Sequence, residues 1–258
     1  MVTFNRFLII QSSIFLLISF VSCQVTKGKI SNDIAIEKLD SLPLIPKHFF
    51  YLQRASNGAC IAKGNTNKKL VALTFDDGPT NFTDKILDVL IKNKAKATFF
   101  WLGKNLAGKA AIIDKAKLHG NQIANHSWDH TNCYGLDENT MWEKQVLKTF
   151  NELENVAGVN SKYYRPPFGG VSQKQIDFLG SKGITTVPWS LTTMDWDKKQ
   201  NSAIELETKF KNFLHPGAIV LMHDFNFAKD DDLIIAIEKM IIYGKSQGYT
   251  FVTVDKMK

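Results

Sequence analysis

Two adjacent carboxylates, Asp76 and Asp77, close the apolar run Leu70–Phe75 in the stretch Thr74-Phe75-Asp76-Asp77-Gly78-Pro79. Like charges this close raise each other's pKa, and a cation beside one of them removes that penalty. Asp-Gly-Pro is also ordinary turn chemistry, so this stretch alone decides nothing. A second stretch, Asn125-His126-Ser127-Trp128-Asp129-His130, sets two histidines four apart. That spacing lets both rings face one centre, on a helical turn or a curled loop. His126, His130 and Asp77 together leave a coordination position open for water or substrate, the pattern of a catalytic zinc site. In Arg165-Pro166-Pro167-Phe168-Gly169-Gly170 the prolines stiffen the loop and supply no N–H. Phe168 then offers the next backbone donor, able to face a developing oxyanion. A rigid surface loop fits the same residues. Asp195-Trp196 and Leu221-Met222-His223-Asp224 complete the set. A histidine just past an apolar strand is a candidate general acid, and it equally suits a capping or core role.

These residues need elements to position them. Short β-prone runs cover Leu70–Phe75, Ala97–Leu102, Gln122–Asn125, Tyr163–Arg165, Ile184–Trp189, Ala218–Met222 and Phe251–Val254. Segments of helical period lie between them: Thr80–Asn93, Lys109–His119, Asp137–Val156, Ser172–Lys182, Ser202–Phe213 and Asp231–Gln247. Within Thr83–Ile91, for instance, Ile86, Leu87, Leu90 and Ile91 recur at helical spacing. Such alternation predicts an α/β fold, a parallel sheet covered by helices. An open doubly wound sheet and a (β/α) barrel both satisfy it. No G-x-G-x-x-G follows the first strand, which weakens a dinucleotide-binding sheet. A barrel of fewer than eight strands is favoured, with its chemistry at the C-terminal strand ends.

The five stretches Thr74–Pro79, His126–His130, Arg165–Gly169, Asp195-Trp196 and Leu221–His223 resemble, in order, the motifs of the polysaccharide deacetylase family. This is the NodB homology domain, carbohydrate esterase family 4. The resemblance runs from about residue 69 to the C-terminus. It implies a distorted (β/α) barrel of about seven parallel strands and metal-dependent hydrolysis of N-acetyl groups from an amino-sugar polymer or glycoconjugate. By position it makes Asp76 the base, with Arg165 holding it. Asp77, His126 and His130 become the metal ligands, and the Phe168 N–H an oxyanion donor. His223 becomes the acid, tuned by Asp195, while Trp196 and Leu221 line the acetyl pocket. Phe168 stands where tyrosine is common in the family, and a backbone role survives that change. Zinc is the default divalent ion, with cobalt, nickel or manganese also suited to the donor set. An amidase acting on a small non-sugar amide shares this hydrolytic centre, because the motifs do not build the pocket rim. A non-catalytic glycan-binding lipoprotein of the same fold would lack the base or acid, and both are present.

The remainder of the chain bears on location. Arg6 precedes an apolar run from Phe7 to Val21, which reads as a secretory signal over residues 1–22. Its end, Phe20-Val21-Ser22-Cys23, resembles a bacterial lipoprotein processing site, with Cys23 as the lipidated residue. Residues 23–47 read as a tether, 48–68 as a lead-in packing against the domain, and 69–258 as the catalytic domain. The expectation is an exported enzyme, lipid-anchored in the cell envelope and facing the periplasm or exterior, with an N-acetylated glycan as substrate. Losing the signal removes one basic residue and lowers the formal charge from +7 to +6, which suits anionic envelope surfaces. No basic block interleaved with aromatics points to nucleic acid, and no protein partner is expected. Export would permit a Cys60–Cys133 disulfide; two buried thiols fit equally well.

Overall fold

The computed structural model describes residues 44–225 and 231–258. The predicted signal, Cys23 and most of the tether lie outside them. The described residues belong to one unit, Glu37–Lys258. Among the described residues there are eight parallel strands: β1 (Leu70–Asp76), β2 (Ala97–Trp101), β3 (Gln122–Asn125), β4 (Tyr163–Tyr164), β5 (Thr185–Thr186), β6 (Leu191–Thr192), β7 (Ala218–His223) and β8 (Thr250–Phe251). Seven form a path in the order β5-β4-β3-β2-β1-β7-β6, curled into a half-barrel, and β8 pairs with the start of β1. The expected distorted (β/α) barrel of about seven parallel strands is observed, as a half-barrel.

Alternation along β1 explains how the barrel is built. Val71, Leu73 and Phe75 join the outer cluster with helices α2 (Thr83–Lys92), α3 (Ala110–Leu118), α7 (Ala203–Phe213) and α8 (Asp232–Ser246). Ala72 belongs instead to the inner cluster with Phe100, Ala124, Ile219 and Leu221. Period-two geometry puts Thr74 and Asp76 on that same inward face. Covered on both sides, β1 reads as a nearly continuous apolar run. Ser172 and Ser202 start α6 (Gln173–Ser181) and α7 with reciprocal capping boxes to Gln175 and Glu205.

Several helices end against lysine side chains. Lys69 donates to Gln247 O at the end of α8, and Lys117 to Ala157 O at the end of α5 (Lys148–Ala157). Lys96 and Lys245 donate to His119 O and Asn93 O, at the ends of α3 and α2. Part of the basic excess therefore offsets the negative ends of helix dipoles.

The structure corrects the expected elements in three places. The run Ile184–Trp189 holds only two strand residues, Thr185 and Thr186, before the chain leaves the sheet and re-enters as the unforeseen β6. Asp195-Trp196 therefore follows the sixth strand, not the fifth. The lead-in holds most of a helix, α1 (Lys47–Ala55), and within the span read as tether the Leu44 carbonyl accepts from Thr192 N. The long helix from α4 (Glu138–Met141) to α5 is interrupted by a π turn at Trp142–Leu147.

Among the described residues the strand ends β5 and β6 do not pair with each other. The last residues of the tether and the lead-in span this seam. Leu44 is bonded to β6, Phe49 packs edge-on against Trp189 at 4.8 Å, and Cys60 bridges to Thr186 of β5. Cys60 and Cys133 are free buried thiols, which burial pushes up to about 12 and about 11. The disulfide alternative is thereby removed.

Candidate metal centre and active site

Strand ends deliver the predicted residues to one place. Asp76 ends β1, and its Cα is in register with His223 at the end of β7. His126 follows β3, with its N–H donating to Trp101 O. Arg165 follows β4, with its N–H donating to Asn125 O.

Asp77 leaves the strand with φ +76, a left-handed turn that swings its carboxylate to the mouth of the barrel. The turn has no slack. A Cβ on Gly78 would lie 2.0 Å from Asp224 Oδ2 and 2.5 Å from Trp101 Nε1, so only glycine fits. Asp224 is fully buried, accepts from Trp101 Nε1 at 2.8 Å, and is raised far above the carboxylate range by desolvation.

The metal-ligand candidates converge. Asp77 Oδ1 lies 3.4 Å from His126 Nε2 and 3.3 Å from His130 Nε2, and the three ligand atoms fall within 4.8 Å of one another. His126 Nδ1 is 2.9 Å from the Arg165 carbonyl. A carbonyl only accepts, so Nδ1 carries a hydrogen there and Nε2 is the ring nitrogen turned toward Asp77. Asp77 Oδ1 is buried with no hydrogen-bond donor of its own. Ligands about 2.1 Å from a tetrahedral ion stand roughly 3.4 Å apart, so this donor set fits a divalent metal. Burial works against ionisation of Asp77, but the imidazoles of His126, His223 and His130 outweigh it and hold the carboxyl below its usual range.

Asp76 is 3 % exposed and Arg165 fully buried. Arg165 Nη1 donates to Asp76 Oδ1 at 2.8 Å and to Thr74 Oγ1 at 2.7 Å. Its Nε and Nη2 donate to the carbonyls of Val187 and Pro188, and the guanidinium lies 4.1 Å over the Phe100 ring. One carboxylate oxygen is thus fixed, while Asp76 Oδ2 lies 3.6 Å from His126 Nε2, on the metal-ligand side.

On the opposite side, Asp195 grips His223 twice, through the backbone N–H at 2.7 Å and Nδ1 at 3.0 Å. Burial opposes a charge on His223, yet Asp195, Asp77 and Asp76 together raise its pKa to about 9. Folding therefore favours the protonated ring. That contribution is complete below about pH 6.5 and fades as pH rises through about 9. Asp195→Asn should move the alkaline fall of kcat to lower pH. A profile with an unmoved alkaline limb would show that Asp195 does not tune His223. The Trp196 ring stands edge-on to His223 at 5.2 Å and packs, like Leu221, against the inner cluster. Phe168, at φ +59, sets its ring edge-on to His130 at 4.5 Å.

Sequence reasoning missed the residues that brace the histidine loop. Asn125 Oδ1 accepts from Ser127 N, and its Nδ2 donates to Val146 O inside the π turn. Gln145 Oε1 accepts from Trp128 N and Asp129 N. Asn125 adjoins His126 and was a visible signal; Gln145 lies in a helix with no local mark.

Comparison with known proteins agrees with this geometry. Residues 63–187 match the family model described as polysaccharide deacetylase. A peptidoglycan-N-acetylglucosamine deacetylase from Bacillus cereus is 35% identical over 195 residues, covering 75% of this chain and 70% of that protein. The peptidoglycan-N-acetylglucosamine deacetylase PgdA from Listeria monocytogenes is 35% identical over 198 residues, covering 76% of this chain but 40% of its relative. A crystal structure of a peptidoglycan N-acetylglucosamine deacetylase bound to an N-hydroxybenzamide superposes with TM-score 0.74 at 33% identity, over 82% of this chain and 96% of that one.

Proposed function

The chain belongs to the polysaccharide deacetylase family and is a polysaccharide N-deacetylase; on that premise we propose that it removes acetyl groups from N-acetylglucosamine of peptidoglycan, with zinc as its resident ion. The observation that carries this reading is the open three-ligand set Asp77, His126 and His130, flanked by Asp76 and His223. Relatives named for peptidoglycan supply the substrate class.

Asp77 Oδ1 and the Nε2 atoms of His126 and His130 would hold the ion, which when bound polarises the acetyl oxygen and lowers the pKa of water from ~15.7 toward 7. Asp76, with Oδ1 fixed by Arg165, keeps Oδ2 for the proton of the attacking water. The Phe168 N–H donates to the oxygen that gains charge. His223, protonated and aimed by Asp195, hands a proton to the amide nitrogen so that it leaves as an amine. Trp196 and Leu221 form the wall against the acetyl methyl. Acetate and a free amino sugar result, which balances one amide and one water.

Location belongs to the same proposal: an exported chain held in the envelope by lipid at Cys23. No helix of the described residues is long and apolar enough to cross a membrane. Labelled fatty acid should appear on the wild type and not on Cys23→Ala.

The direct test is acetate release from peptidoglycan, chitin oligomers, lipid-linked amino sugars and small amides, with metal analysis of the same sample. New amines should match acetate one for one on peptidoglycan. A metal-replete sample that cleaves only the small amides would identify a different amidase.

A further inference from the structure

The two histidine ligands sit on a loop that its own conformation does not favour. Ser127 and His130 are at φ +76 and +73, a region that L-residues with side chains seldom adopt. Something outside the loop must hold it. The exit of β2 does so on one side: Gly103 N donates to Ser127 O and Lys104 N to Trp128 O, both at 3.0 Å. The Trp128 ring packs where a Cβ on Gly103 would come within 2.6 Å of it.

The π turn Trp142–Leu147 holds the other side. A π turn carries one more residue than an α turn and leaves carbonyls without an in-helix donor. Here Val146 O receives Asn125 Nδ2 at 2.8 Å, and Gln145 O receives Thr149 Oγ1 at 2.8 Å. Gln145, 6 % exposed, turns its side chain to the loop. Its Oε1 takes Trp128 N at 3.0 Å and Asp129 N at 3.4 Å. Ser127 N and His130 N are bonded to Asn125 Oδ1 and Ser127 Oγ, which belong to the loop or its root. The two central N–H groups, between the ligands, thus depend on one side chain from a distant helix.

We propose that Gln145, presented by the π turn, is a positioning residue that sets the separation of His126 and His130 for the metal. This deepens the metal-dependent reading above and rests on it. A continuous α-helix would rotate position 145 off the loop and close Val146 O, so the π turn and the ligand loop act as one device.

The experiment is titration of purified metal-free chain with Co²⁺, followed by its d–d absorption, and with Zn²⁺ against a chelator. Gln145→Leu keeps the size and removes the acceptor. It should weaken metal affinity by roughly 10–100-fold, the usual effect of losing an outer partner of a ligand. Its Co²⁺ spectrum should differ from wild type even at saturating metal. Gln145→Glu keeps an acceptor oxygen and should restore affinity and spectrum. Wild-type affinity and spectrum in Gln145→Leu would overturn the proposal, as would equal weakening in Gln145→Glu. Should Gln145→Leu not fold, Gln145→Asn withdraws the acceptor by one methylene and is judged by the same two readouts. A folded wild-type chain that takes up neither ion would overturn the metal reading itself, a separate failure.

Discussion

Asp76→Asn should lower kcat by roughly 10²–10⁴-fold, the range for losing a general base, while metal content stays at the wild-type level. The asparagine oxygen can still accept from Arg165 Nη1, which now meets Asp76 Oδ1 at 2.8 Å. What disappears is the basic Oδ2 on the side of His126. Asp77→Ala is the contrasting variant. It removes the atom that both imidazoles approach at 3.3 and 3.4 Å, so metal and activity should fall together. Metal analysis beside acetate assays separates the two variants. Near-normal turnover by Asp76→Asn would remove this residue from the role of base.

Arg165→Met should cost about 3–5 kcal/mol of stability, the penalty for leaving one member of a buried ion pair without its partner. Asp76 would then be a carboxylate 3 % exposed facing an apolar side chain. The carbonyls of Val187 and Pro188 and the hydroxyl of Thr74 would each lose a donor as well. Urea unfolding should show a lower midpoint. Adding Asp76→Asn to Arg165→Met removes the stranded charge and should recover part of the loss. A double variant less stable than Arg165→Met alone would mean that the charge is not the source of the cost.

β1 was legible in the sequence because both of its faces are covered, giving the unbroken run Leu70–Phe75. The candidate metal ligands were legible because polar residues of unusual type directly follow apolar runs. β6 was not, since two residues carry too little periodicity, and Pro188 separates it from β5. The helix α1 escaped notice because Phe49 is its one fully buried residue, so no apolar stripe repeats. The role of Arg165 came through resemblance alone. Its charge is matched by Asp76, which lies 89 positions away, and no local pattern records such a pairing. The π turn is invisible for a related reason. Residues 137–156 satisfy a helical period either way, and the tertiary bonds to Asn125 and the histidine loop select the wider winding.

The seam between β5 and β6 has a practical consequence. The segment that spans it, from Leu44 to Cys60, lies entirely before residue 63, where the family match begins. A chain trimmed to that boundary would keep every proposed catalytic side chain and yet bare two strand margins at once. Unprotected margins of this kind template pairing with other molecules. Such a trimmed enzyme should scatter light and self-associate where the longer chain does not, although its chemistry is nominally intact. On that expectation, residues 44–60 guard the two margins against self-association.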